Sequence, residues 1–67
     1  MTIQSVLFNR NLWTQEQASK YLIRHQFKND GVDETENYFR YRQHEPDSKK
    51  RYYTKVLNNG VEYIMMY

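Results

Sequence analysis

The chain is 67 residues long, contains no Cys, and carries 10 Lys and Arg against 8 Asp and Glu, a net charge of +2. The missing Cys excludes disulfides and thiolate zinc sites and fits a reducing compartment, and the small net charge argues against the strong basic field of a tight duplex binder. A chain of this size buries only about 60% of the surface its unfolded form exposes, so the 16% aromatic content has to supply much of the core of a single domain, residues 1–67.

Residues 3–8, IQSVLF, read as a short, weakly signalled strand, and residues 9–12 as a loop. Thr14 followed by Gln17 forms a capping box, with Trp13 placed before it to pack against Ala18 one turn on. The helix it opens runs to about Gln26. Ala18, Tyr21, Leu22 and His25 recur at i, i+3, i+4 and i+7 and form its apolar stripe, which Ile23 does not fit. Lys28-Asn29-Asp30-Gly31 ends the helix and turns the chain.

Residues 37–43, NYFRYRQ, alternate with a period of two. Phe39, Tyr41 and Gln43 point one way, and Tyr38, Arg40 and Arg42 the other. Residues 44–50 form a polar loop around Pro46 and Asp47, and residues 51–57, RYYTKVL, read as the next strand. Asn59-Gly60 is a strong hairpin signal, with Asn58 able to lengthen the loop, and residues 61–66 complete the hairpin. The expected fold class is α+β: one helix packed on a small antiparallel sheet of three to four strands, in the order β-α-β-β-β. The expected core is Trp13, Ala18, Tyr21, Leu22, Phe27, Phe39, Tyr41, Val56 and Ile64.

The pattern W-T-x-x-x-A-x-x-Y-L-x-x-H-x-F-K over Trp13 to Lys28 is followed by V-D-E-T-x-N-Y-x-R-Y-R-Q over Val32 to Gln43. With Pro46 and Gly60, it resembles small proteins and segments encoded by tailed bacteriophages and large DNA viruses. The resemblance covers about residue 5 to the end. It implies a virus-encoded accessory or virion-associated protein and carries no defined activity. The chain departs from the pattern in ending on Ile64-Met65-Met66-Tyr67.

Catalytic readings are poorly supported. Asp33, Glu34 and Glu36 cluster before the strand, but Asp33 and Thr35 are explained by side chains that bond to nearby backbone N–H groups as the chain turns. His25 falls on the helix stripe as a core histidine, and His44 sits at a strand end beside Glu45, so no convergent metal set is expected. Ser5, Ser19 and Ser48 lie in no nucleophile context, and the two Gly are isolated turn residues rather than a phosphate loop. No catalytic residue, metal or cofactor is expected, and the chain is read as non-enzymatic.

Binding remains. Tyr38, Arg40 and Arg42 share a face by alternation, as do Arg51, Tyr53 and Lys55. Pairing of strands 37–43 and 51–57 would join them into a surface of four cations and two rings, suited to single-stranded nucleic acid. Cross-strand packing of Arg stems over rings explains the same residues without a ligand. The C-terminal strand is apolar on both sides. Tyr63, Met65, Met66 and Tyr67 are therefore read as an edge awaiting a second copy or another protein, host or viral.

The charge is uneven, with net +2 over residues 1–30, −3 over residues 31–48 and +3 over residues 49–67. No apolar run approaches the roughly 20 residues that span a bilayer, and MTIQSVLF has no basic start ahead of a long apolar region. The expectation is a protein-interaction module of a virus, with nucleic-acid binding as the alternative. It is placed in the host cytoplasm or on the virion, with no membrane partner.

Overall fold

The computed structural model describes residues 2–67. Its element order is β1 (Thr2–Asn9), α1 (Gln15–Arg24), β2 (Asp33–Glu34), β3 (Tyr38–Arg42), β4 (Tyr52–Val56) and β5 (Val61–Met66). The strands form one antiparallel sheet in the order β2-β3-β1-β5-β4. The α+β class is as expected, but the sheet has five strands because Asp33 and Glu34 pair with Arg40 and Phe39. Those two acids thus begin a strand, whereas Thr35 makes the backbone cap: its hydroxyl accepts from Tyr38 N at 3.0 Å.

The strand that looked weakest in sequence is the centre of the sheet. β1 pairs with β3 through Ser5 to Asn9 and with β5 through Thr2 to Phe8. Its alternation is broken by a bulge: Ile3 faces Met65, Ser5 faces Ile64, and Gln4 is the extra residue between them. The Gln4 carbonyl accepts from both Gln43 N (2.7 Å) and His44 N (3.2 Å). Its side chain is buried with both polar ends used, Nε2 donating to His44 O (3.0 Å) and Oε1 accepting from Ser5 Oγ (2.6 Å).

The capping box forms as expected. Thr14 Oγ1 accepts from Gln17 N (3.1 Å), and Gln17 Oε1 accepts from Thr14 N (3.0 Å). The helix ends earlier than the Gly signal suggests. Gln26 adopts φ 61°, with Gln26 N bonded to Ile23 O (3.1 Å) and Phe27 N to Leu22 O (2.8 Å). This is the paired 5→2 and 6→1 arrangement of a Schellman cap, with Gln where Gly is usual. Gln43 then ties down the following segment, accepting from Lys28 N (2.7 Å) and donating to Lys28 O (2.9 Å).

The core lies between α1 and one face of the sheet. It consists of Val6, Phe8, Ala18, Leu22, Phe39, Tyr41 and Val61, with Ile3, Trp13, Tyr21, Phe27, Leu57 and Tyr63 packed around them. Phe8 is fully buried and contacts Trp13, Tyr21 and Tyr41 at centroid distances of 5.1, 5.4 and 5.6 Å. Two expected core residues lie elsewhere: Val56 is 70% exposed, and Ile64 is only partly buried on the face away from the helix. Ile23 is exposed, and so is His25, whose ring rests beside Tyr21 at 4.2 Å instead of sitting in the core.

The Asn58-Asn59-Gly60 hairpin closes on Leu57 N to Val61 O (2.9 Å) and docks against the segment before the helix. Trp13 Nε1 donates to Asn59 O (2.8 Å). Gly60 has φ 83°, a conformation that favours Gly; a Cβ there would stand 2.7 Å from Leu12 Cδ1, the tip of an exposed side chain that can move aside.

Two substitutions probe this frame. Gln26→Gly relieves a left-handed non-Gly residue and should stabilise by about 1 kcal/mol, raising the melting temperature by about 4–8 °C. Phe8→Ala should cost about 3–5 kcal/mol, comparable to the whole stability of so small a domain, and leave the chain largely unfolded by far-UV circular dichroism at 25 °C.

Candidate functional site

The sheet has one face under the helix and one without it. Directly paired residues share a face, so the register assigns every strand. Val6, Phe8, Phe39, Tyr41, Val61 and Tyr63 lie on the helix side. The opposite face carries Ser5 and Leu7 of β1, Tyr38, Arg40 and Arg42 of β3, Glu62, Ile64 and Met66 of β5, and Tyr52, Thr54 and Val56 of β4.

This topology separates the two trios expected to form one patch. β3 and β4 do not pair, because β1 and β5 lie between them. Tyr38, Arg40 and Arg42 are on the helix-free face as the alternation indicated. Tyr53 and Lys55 pair with Met65 and Tyr63 and therefore lie on the other face, and Arg51 joins them by parity. The expected surface of four cations and two rings is therefore not assembled.

The cations and the ring of the β3 trio are engaged within the chain. Arg40 donates from Nε to Ser5 Oγ (3.2 Å) and from Nη2 to Gln4 Oε1 (3.1 Å), and its strand partner across the ladder is Asp33. Arg42 Nη1 lies 3.8 Å from Glu45 Oε2. Tyr38 has its hydroxyl pushed above the ordinary tyrosine range, first by a hydrogen bond to Glu62 and then by that carboxylate's charge. Toward and on the outer strand, the same face carries Leu7, Ile64, Met66, Tyr52 and Val56 interspersed with Ser5, Thr54 and Glu62, the last lying between Leu7 and Val56.

The C-terminal strand is not an edge. β5 pairs with β1 on one side and β4 on the other. Its apolar residues divide between the two faces: Tyr63 and Met65 face the helix side, and Ile64 and Met66 the open side. Tyr67 continues the pairing, exchanging backbone hydrogen bonds with Arg51 (2.8 and 2.9 Å), and its ring lies 5.7 Å from Tyr53. The long free edge belongs to β4, where every residue is exposed. At the other end of the sheet, β2 offers only Asp33 and Glu34.

Where the helix stops covering the sheet, Tyr21 and Tyr63 join their hydroxyls at 2.6 Å. Burial, and then the hydrogen bond that the Tyr63 hydroxyl makes with Tyr21, raises the Tyr63 hydroxyl far above the ordinary tyrosine value. Tyr41 is also raised, by burial first and by the charge of Glu34 second.

The concavities are open ones at the surface. One of about 540 Å³ is bordered by Lys28, Arg42, His44, Glu45, Asp47 and Met66, among others. Among the described residues, no group of three or more His, Cys, Asp or Glu side chains is placed to hold a metal ion. Among the same residues, no helix is long and apolar enough to cross a membrane. No family model, curated protein or solved structure matches the chain, so the surface must be read from its own chemistry.

The raised Tyr63 value makes a pH prediction. The folded state keeps a proton that the unfolded state releases above about pH 10, so this stabilisation is complete below that pH and is lost as pH rises further. The urea midpoint should be lower at about pH 11 than at about pH 9. Tyr63→Phe should cost about 1 kcal/mol at neutral pH and make the alkaline fall shallower.

Proposed function

We propose that this protein is a non-enzymatic protein-interaction module that works through the helix-free face of its sheet. The observation that supports the reading is the set of Leu7, Ile64, Met66 and Val56, interspersed with Ser5, Thr54 and Glu62, on a face that no described element covers and that runs out to the exposed strand β4. A protein partner can bury such apolar area, whereas a nucleic acid needs available cations and rings.

Nucleic-acid binding, the alternative reading, is the weaker one on this face. Arg40 is seated on Ser5 and Gln4, Arg42 is beside Glu45, and Tyr38 reaches Glu62. Arg40 keeps its charge but has two donors committed to neutral acceptors, and Arg42 shares its charge with Glu45, so an approaching phosphate backbone meets few uncommitted donors on this face.

The test is retention of partners on immobilised protein, with nuclease treatment and with Ile64→Glu, its fold checked by circular dichroism, as the variant. A polypeptide retained by the native chain, insensitive to nuclease and reduced at least tenfold by Ile64→Glu, is expected. A salt-sensitive gel shift on single-stranded DNA or RNA, abolished by Arg40→Ala with Arg42→Ala, would decide for the alternative.

A further inference from the structure

We infer that the outer strand β4 pairs with β4 of a second copy, antiparallel about a two-fold axis at Thr54, joining two sheets into one of ten strands. The inference deepens the reading above, since it names the partner for the outer border of the same surface.

The hydrogen-bonding direction of β4 follows from its ends. Arg51 and Tyr67 exchange both backbone bonds, and Leu57 N donates to Val61 O at 2.9 Å. Antiparallel ladders alternate, so the odd-numbered residues 51 to 57 bond inward to β5, and Tyr52, Thr54 and Val56 turn their N–H and C=O groups to the free edge. An inverted copy centred on Thr54 matches all three: Thr54 with Thr54, and Tyr52 with Val56 twice. Each such pair exchanges two N–H···O bonds.

The side chains agree with that centre. On the helix-free face, the ring of Tyr52 meets Val56, an aromatic and β-branched pair of the kind that stabilises sheets. Their present exposures are 40% and 70%, so both have apolar area to bury. On the other face, Lys55 opposes Tyr53 and Arg51 opposes Leu57. No two cations are directly opposite. A centre at Lys55 would oppose lysine to lysine, and one at Tyr53 would oppose Arg51 to Lys55. Only the Thr54 centre uses the whole edge without opposing like charges.

The assembly also closes. The remaining edges are the two-residue, acidic β2 strands, which are short and charged in the manner that blocks further strand addition. The two Lys55 residues are diagonal neighbours, about 7–8 Å apart along the ladder, and each is also diagonal to Arg51 of the other copy. Added salt screens that repulsion, so the dimer tightens as ionic strength rises, opposite to the salt response of a nucleic-acid complex.

Sedimentation or light scattering on the full chain, from about 10 μM to about 1 mM, tests the inference against the 8.3 kDa monomer mass. A reversible dimer is expected, with a dissociation constant lowered by added salt. Thr54→Lys and Thr54→Glu should each raise that constant at least tenfold. Mixing the two variants should restore association, since only the mixed pair places opposite charges together on the axis. A chain monomeric to about 1 mM, a dimer untouched by T54K and T54E, or open-ended oligomers would overturn it. If the chain is monomeric while Ile64→Glu still releases a polypeptide, the second copy is wrong and the protein-interaction reading stands. Loss of both effects removes both.

Discussion

The burial of Phe8 is the contact on which the rest of the structure depends. Its ring meets Trp13 before the helix, Tyr21 within it and Tyr41 on β3, and its backbone lies in the strand that holds the two halves of the sheet together. Tyr21 extends the cluster to β5 through the hydroxyl of Tyr63. A chain this short has little apolar area to bury, so one ring contacting three elements organises a large share of its core.

That arrangement explains which parts of the fold were legible in the sequence. The capping box at Thr14 and Gln17, the alternation of residues 37–43 and the Asn-Gly hairpin are local signals, and each formed where it was read. β1 was underrated because the bulge at Gln4 breaks its period, leaving Gln4, Ser5 and Val6 buried in succession. Periodicity sees no strand core in such a run. Val6 and Phe8 were missed for this reason, while on the last hairpin Val61 was passed over and Val56 and Ile64 were placed inside on hydrophobicity alone.

The candidate site was half legible for a different reason. Alternation correctly grouped Arg40 with Arg42 and Tyr53 with Lys55, but the two groups do not share the one face expected of them, because which strands pair is a long-range property. The polar loop of residues 44–50 looks like a hairpin turn, yet it carries the chain past β1 and β5 to the outer edge. Parity within a strand is encoded by neighbours in sequence; the pairing of β3 and β4 was excluded by a strand more than thirty residues earlier.

Geometry also dictates that some edge stays bare. A helix about 10–12 Å across cannot roof five strands spaced about 4.8 Å apart. Here α1 sits over the middle of the sheet: Ala18 and Leu22 point into the core, Gln15 reaches Glu34 at one flank, and Tyr21 reaches Tyr63 at the other. The roof ends at β5, so β4 has solvent on both faces as well as along its edge. A strand in that position gains its order from one neighbour only, and its unpaired groups at Tyr52, Thr54 and Val56 remain available. The feature that makes this small domain marginal is therefore also the feature that gives it a surface to share.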